Sequence, residues 1–65
     1  MFSVTCETIH EVYREIGEIW CLDEAMKLCA ELSEKYPSLN IVVYNVDLCE
    51  GYTQIYAMRG GKVAY

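Results

Sequence analysis

Basic residues are scarce in this chain of 65 residues, which carries five Lys and Arg against ten Asp and Glu, a net charge of −5. Proteins that bind nucleic acids need basic surfaces, because contacts to phosphates supply much of their affinity. We therefore do not expect direct binding of DNA or RNA. Long apolar runs are also missing: none approaches the roughly 18 residues of a membrane-spanning helix, which excludes such a helix and predicts no membrane partner.

The sequence has little of what catalytic and metal sites require. His10 is the single histidine, so a Cys/His dyad would have to use it, and the sequence offers no serine triad and no second imidazole for a proton shuttle. Neither GxxxxGK[ST] nor GxGxxG occurs, and Asp47 and Glu50 around a turn are better explained by turn formation than by acid–base catalysis. We expect no enzymatic activity and no cofactor.

The four cysteines are an even number, which in a small secreted domain would predict two disulfides. The N-terminal stretch Met1–Val12 has no basic region ahead of an apolar one, so we recognise no signal peptide and expect a soluble, cytoplasmic protein with free thiols. No CxxC pair occurs, and Cys6 with His10 is the one short spacing that could begin a zinc site. We predict no metal. The cysteines are Cys6, Cys21, Cys29 and Cys49.

The segment Cys21–Tyr36 has the clearest periodicity in the chain. Its apolar residues recur at helical spacing and its charged residues take the opposite side, which predicts an amphipathic α-helix. Asp23 is the predicted N-cap, and Pro37 should end the helix because it disfavours helical geometry at Tyr36. The apolar stripe comprises Ala25, Leu28, Cys29, Leu32 and Tyr36.

Residues 1–20 leave two alternatives open. Helical spacing of apolar residues and the capping-box pattern Thr8–Glu11 favour a helix, which would give the order ααβββ. The many β-branched and aromatic residues favour a hairpin instead, with a tight turn at Arg14–Gly17, Gly17 in a left-handed conformation, and a second strand Glu18–Cys21. We favour the hairpin.

The C-terminal half predicts strands. Leu39–Leu48 is apolar on both faces over Ile41–Tyr44, as in a central strand, and a turn with Gly51 at positive φ leads into a strand Tyr52–Met58. Within that strand we expect Tyr52, Gln54, Tyr56 and Met58 to share one face. Arg59–Gly61 should break it before a short strand Lys62–Tyr65. The prediction is an α+β domain over residues 1–65, an antiparallel sheet with one amphipathic helix on one face, in the order ββαββ with an optional fifth strand.

Acidic residues concentrate in the N-terminal half. Residues 1–34 carry eight acids against two bases, whereas residues 35–65 carry two acids and three bases. Such a surface either keeps the protein in solution or docks on a basic protein partner, one that could itself belong to a nucleic-acid-binding complex. The candidate partner-binding residues are Glu7, Glu11, Glu15, Glu18, Glu24, Glu31 and Glu34.

The tyrosines offer a second candidate surface. A stripe of aromatic rings on an open sheet can stack a ligand or nucleic-acid bases, with basic residues beside it. Cross-strand pairing of tyrosines that stabilises the sheet is the structural alternative. The residues of this alternative face are Tyr44, Tyr52, Tyr56, Arg59 and Lys62, together with Tyr65.

The predicted hairpin, the Leu22–Ala25 entry into the helix and the glycine-bounded strands resemble, in outline, small phage-encoded ββαββ proteins such as some anti-CRISPR inhibitors. No functional residue carries over from that resemblance. It implies a compact acidic protein that occupies a surface of a larger partner, as an inhibitor or adaptor. A small domain with 54% hydrophobic residues also leaves apolar surface to cover, so a homodimer is a further expectation.

Overall fold

The computed structural model describes residues 1–64, which form one helix and a five-stranded antiparallel sheet, an α+β fold. Tyr65, which we placed in the last strand and in the tyrosine stripe, lies outside the described residues. The predicted order ββαββ with a short fifth strand is confirmed, and the N-terminal helix alternative is not realised. In chain order the elements are β1 (Phe2–Glu7), β2 (Val12–Ile19), α1 (Leu22–Lys35), β3 (Asn40–Asp47), β4 (Gly51–Arg59) and β5 (Lys62–Val63).

The sheet has the strand order β2-β1-β3-β4-β5. β1 therefore pairs with its hairpin partner β2 on one side and with β3 on the other. This places the first strand of the chain inside the sheet, and leaves β2 at one edge and β4 with the short β5 at the other.

The N-terminal hairpin turns at a different place from the one predicted. Its turn comprises Thr8–Glu11, where the Thr8 N–H donates to the carbonyl of Glu11 at 2.9 Å and the Thr8 hydroxyl accepts from the N–H groups of His10 and Glu11 at 3.2 and 3.3 Å. A threonine that bonds the backbone three residues ahead can start a helix or close a turn. Here the capping-box residues close a turn.

Gly17, predicted in the turn, lies inside β2 instead. It does not take positive φ; its neighbour Glu18 does, at 57°. The pairing of β1 with β2 shifts register between Phe2 and Val4, opposite this part of β2. The left-handed residue thus belongs to an irregularity of an edge strand, which locally increases its twist.

The helix confirms the predicted stripe but not the predicted cap. Cys21 is the N-cap residue, in extended conformation and without a side-chain hydrogen bond, so Asp23 lies within the first turn, where its charge favours the helix dipole. At the other end, the Tyr36 N–H donates to the Leu32 carbonyl at 2.8 Å. Pro37 follows directly, and the helix ends there as expected.

The core lies between α1 and one face of the sheet. Ala25, Cys29 and Leu32 of the helix pack against buried side chains of β1, β3 and β4. Leu28 and Tyr36, the remaining stripe residues, are half-buried against the same cluster. The sheet contributes Val4, Cys6, Ile41, Val43 and Met58.

A bulge in β4 changes which of its residues face the helix. Val43 pairs with Tyr56, but the next residue, Tyr44, pairs with Gln54, so Ile55 is the extra residue. One extra residue reverses the alternation of faces. Tyr56 and Met58 therefore pack against the core, whereas Tyr52 and Gln54 lie on the other face, and the expectation that all four share one face is wrong.

The last hairpin is attached to the helix through a buried serine. Gly60 and Gly61 form its turn with positive φ values of 60° and 79°. The N–H of Gly61 donates to the hydroxyl of Ser33 at 2.8 Å, and Ser33 is fully buried. Among the described residues, no helix has the length and apolarity needed to cross a lipid bilayer.

Candidate functional site

The face of the sheet opposite α1 is covered by no other helix or strand of residues 1–64, and we call it the open face. Because side chains alternate along strands, residues next to the core positions Val4, Ile41 and Val43 point to this side. Its centre is made of small or β-branched residues that are nonetheless buried by their neighbours on the same face. These central residues are Ser3, Thr5, Val42 and Ala57.

Glu7 is held on the open face by hydrogen bonds. Its carboxylate accepts from the Thr5 hydroxyl at 2.6 Å and from the Tyr44 hydroxyl at 3.2 and 3.3 Å. Burial raises the pKa of Tyr44, and the charge of Glu7 and the hydrogen bond to it raise it further. Tyr44 is therefore a stable neutral donor, which fixes the position of this carboxylate.

Glu15 is held in the same way on the neighbouring strand. It pairs opposite Thr5, and its carboxylate accepts from the Ser3 hydroxyl at 2.7 Å. Hydrogen bonding to Glu15, together with its charge, raises the pKa of Tyr52. The two tyrosines contact each other edge to face, with ring centroids 5.8 Å apart and an interplanar angle of 73°.

These residues line a continuous surface. One shallow groove on the open face is bordered by Glu7, Val12, Glu15, Tyr44 and Tyr52. A second groove shares Glu15 and Tyr52 and continues along the sheet to Glu18 and Met1. The open face therefore combines three carboxylates from the N-terminal hairpin with two tyrosine rings, one of which, Tyr52, is 58% exposed.

The predicted acidic residues divide between two sides of the molecule. Glu7, Glu15 and Glu18 border the open face, and Glu11 lies exposed in the β1–β2 turn. The helix acids are exposed on α1, which covers the opposite face of the sheet. No flat partner surface could contact both groups at once. The helix acids are Glu24, Glu31 and Glu34.

The predicted tyrosine face is divided as well. Tyr44 and Tyr52 belong to the open face, but Tyr56 packs against the core on the helix side. Arg59 and Lys62 pair across β4 and β5, are exposed, and lie at the edge of the sheet farthest from β2. The tyrosines that remain on the open face are thus accompanied by carboxylates.

The thiols form no site. No group of three metal-ligating side chains occurs within residues 1–64. Cys6 and Cys29 are buried, while Cys21 and Cys49 are exposed, and all four are free. Burial raises the pKa of Cys29 to about 11, and its thiol donates to the Ile41 carbonyl at 3.5 Å. Asp47 has a structural role, since its carboxylate accepts the N–H groups of Cys49 and Glu50 at 2.7 and 3.1 Å.

Sequence reasoning identified the acids but missed the hydroxyl groups that position them. Ser3 and Thr5 donate to Glu15 and Glu7, and neither was a candidate. The sequence pattern that could have identified them is in β1, where Ser3, Thr5 and Glu7 alternate with apolar residues. That alternation indicates a strand with one polar face.

No protein-family model, curated protein or solved structure matches this chain.

Proposed function

We propose that this protein is a non-enzymatic interaction module that docks its open face on a basic surface of a larger protein. The observation that carries the proposal is the pair of carboxylates, Glu7 and Glu15, on adjacent strands beside two tyrosine rings, of which that of Tyr52 is exposed. Carboxylates that are fixed before binding lose little conformational freedom when a partner arrives. Each also keeps acceptor capacity for Lys or Arg, since a carboxylate offers about four lone-pair sites.

The tyrosines strengthen this interpretation. Tyrosine is enriched at protein interfaces because its ring supplies contact area at a small entropic cost. Tyr52 presents such a ring next to Glu15. A guanidinium or ammonium group of the partner could contact both the ring face and a carboxylate.

The helix acids are a weaker candidate for the docking surface. On α1 they alternate with Lys27 and Lys35, and Lys35 lies over the ring of Tyr36, 5.4 Å from its centroid. Mixed charge on a helix surface is typical of a solvated face. On the open face, by contrast, the nearest charged residues along β1 and β2 are carboxylates.

The same geometry disfavours direct nucleic-acid binding. Stacking of bases on Tyr44 and Tyr52 would bring phosphates close to Glu7 and Glu15, and like charges repel. The basic residues Arg59 and Lys62 lie at the opposite edge of the sheet. An inhibitor or adaptor that occupies a basic protein surface is the role we propose.

Two variants with equal charge changes test the proposal. The first replaces Glu7, Glu15 and Glu18 by Gln; the second replaces Glu24, Glu31 and Glu34 by Gln. Each removes three negative charges, but from opposite sides of the molecule.

The partner is identified by affinity capture from the native host followed by mass spectrometry. Its binding is then compared among the wild-type protein and the two variants. We expect the open-face variant to lose the partner and the helix variant to retain it. Equal retention by both variants, or loss in the helix variant alone, would refute the proposal.

A further inference from the structure

Within residues 1–64, most of the outer edge of β4 has no pairing strand. β5 pairs only with its end, at Met58 and Arg59, and Ala64 donates one further hydrogen bond to the Ala57 carbonyl at 2.9 Å. From Gly51 to Ile55, no described strand pairs with this edge. Unpaired N–H and C=O groups in a row are a template for another strand.

The two edges of the sheet differ in how they are protected. β2, at the opposite edge, carries Arg14, Glu15 and Glu18 and has two irregularities in its register with β1. Charges and bulges are the features by which edge strands avoid association. The stretch Gly51–Ile55 has neither a charged residue nor a proline, and contains Tyr, Thr and Ile, which favour strands; its one irregularity, the bulge at Ile55, lies at its end.

We propose that the outer edge of β4 pairs with the same edge of a second copy of this chain, antiparallel and centred near Thr53. Gly51 of one copy then lies opposite Ile55 of the other. A twofold axis through the centre makes the contact self-complementary and closed, as in most homodimers. The two sheets join into one of ten strands.

The distribution of charge favours this pairing. Asp47 at the end of β3 and Glu50 in the following turn lie near the start of β4, whereas Arg59 and Lys62 lie at its other end. Antiparallel pairing brings the acidic end of one β4 towards the basic end of the other.

The dimer goes beyond the proposed function because it makes the open face bivalent. The twofold axis is perpendicular to the sheet, so both helices lie on one side and both open faces on the other. Tyr52 of each copy is next to the axis, within the paired stretch. Two linked docking faces would raise the avidity for a partner that offers two basic sites.

The paired stretch of β4 is short, so the dimer should form only at high protein concentration. Five residues from each copy bury far less than the roughly 1,600 Å² of a standard interface. We therefore expect reversible association with a dissociation constant on the order of 100 µM, and no dimer at nanomolar concentrations.

Sedimentation equilibrium between about 10 and 500 µM tests the proposal, in reductant so that the exposed Cys21 and Cys49 cannot cross-link copies. We expect the mass to rise from the 7.5 kDa of one chain towards twice that value. Thr53→Lys places two like charges opposite each other at the axis and should weaken association at least tenfold. Ile9→Lys, which adds the same charge at an exposed position of the β1–β2 turn, should leave it unchanged.

Circular dichroism checks that each variant folds, and Gln54→Lys, at another exposed position of β4, replaces Thr53→Lys if that variant does not. A wild-type chain that stays monomeric throughout the range would overturn the proposal. So would a dimer that survives the folded β4 variant, or one that Ile9→Lys disrupts to the same extent. Loss of partner binding in the open-face variant without any dimer would leave the proposed function standing and reject the dimer alone.

Discussion

The hydroxyl of Tyr44 lies 3.2 Å from a carboxylate oxygen of Glu7, although 37 positions separate the two residues in the sequence. The contact connects β3 with β1 across the open face. It places an aromatic ring next to a fixed negative charge. The two residues meet only because β1 and β3 are neighbours in the sheet. The candidate site therefore depends on the order of strands in the sheet.

The first prediction concerns the titration of Tyr44. Its pKa is raised by burial and then by the charge and hydrogen bond of Glu7, so Glu7→Gln should lower this pKa towards its ordinary value of about 10. The pKa of Tyr44 is higher in the folded protein than in the unfolded one. The neutral Tyr44 hydroxyl therefore stabilises the fold below a pH of about 10, and this stabilisation is lost as the pH rises through the folded pKa. Tyrosinate absorbance, with Tyr44→Phe to assign the signal, measures the shift. An unchanged titration in Glu7→Gln would mean that the contact is absent in solution.

The second prediction tests the helix stripe. Leu32 is 6% exposed within the core cluster, so Leu32→Ala should lower the free energy of unfolding by about 2–5 kcal/mol. Leu22→Ala is the matched control, because Leu22 is 42% exposed at the start of the same helix; it should cost less than about 1 kcal/mol. Denaturant unfolding measures both. Equal effects would show that the stripe does not face the core.

Features that depend on neighbouring residues were predictable from the sequence. The stripe of α1 and its end at Pro37 follow from helical spacing and from the geometry that proline imposes. The turn before β4 follows from Gly51, whose φ is 82°. Each requires only residues within a few positions of one another.

Features that depend on distant pairing were not predictable. Thr8–Glu11 can begin a helix or close a turn with similar local hydrogen bonds, and pairing of β1 with both β2 and β3 decides between them. The bulge at Ile55 likewise arises from the fit of β4 against β3. Because of this bulge, Tyr56 faces the core, whereas the regular alternation of side chains along a strand predicts that it shares a face with Tyr52. For the same reason, charge alone identified Glu7 and Glu15 as candidates but could not separate them from the helix acids.

A third prediction concerns the buried serine that connects α1 with the last hairpin. Ser33→Ala removes the acceptor of the Gly61 N–H, and loss of a partly buried hydrogen bond costs about 1–3 kcal/mol. Ser38→Ala is the control, since Ser38 is exposed in the connection before β3. We expect thermal unfolding of the Ser33 variant to occur at a clearly lower temperature than that of the Ser38 variant. Identical melting curves would contradict this role.

The fourth prediction separates the thiols by reactivity. Cys21 and Cys49 are exposed, whereas Cys29 is buried with a pKa raised to about 11. The thiolate is the reactive form, so near pH 8 the raised pKa alone should slow alkylation of Cys29 by roughly a hundredfold relative to an ordinary thiol. Burial of Cys6, whose pKa is also raised by desolvation, should protect it too. Iodoacetamide labelling followed by peptide mass spectrometry, with unfolded protein as the reference, measures each rate. Rapid labelling of Cys29 in the folded protein would contradict the burial of the helix stripe.

The last prediction concerns the rate at which the proposed partner binds. A docking face with three carboxylates attracts a basic surface before contact, so the association rate constant should fall steeply as ionic strength rises. Replacing Glu7, Glu15 and Glu18 by Gln should lower that rate constant at low salt and flatten its salt dependence. Glutamine keeps an oxygen that can accept the hydrogen bonds that Glu7 and Glu15 accept from Thr5 and Ser3, so we expect this variant to melt at a somewhat lower temperature but to stay folded during the assay.

The helix variant, with Glu24, Glu31 and Glu34 replaced by Gln, controls for net charge. It changes the total charge equally but from the far side of the sheet, where screening weakens its effect on a partner bound to the open face. Surface plasmon resonance at low and at physiological salt compares the three proteins with the captured partner. If both variants slow association equally, only the net charge matters and no docking face exists. If neither does, the acids serve solvation alone, and the partner must bind through another surface.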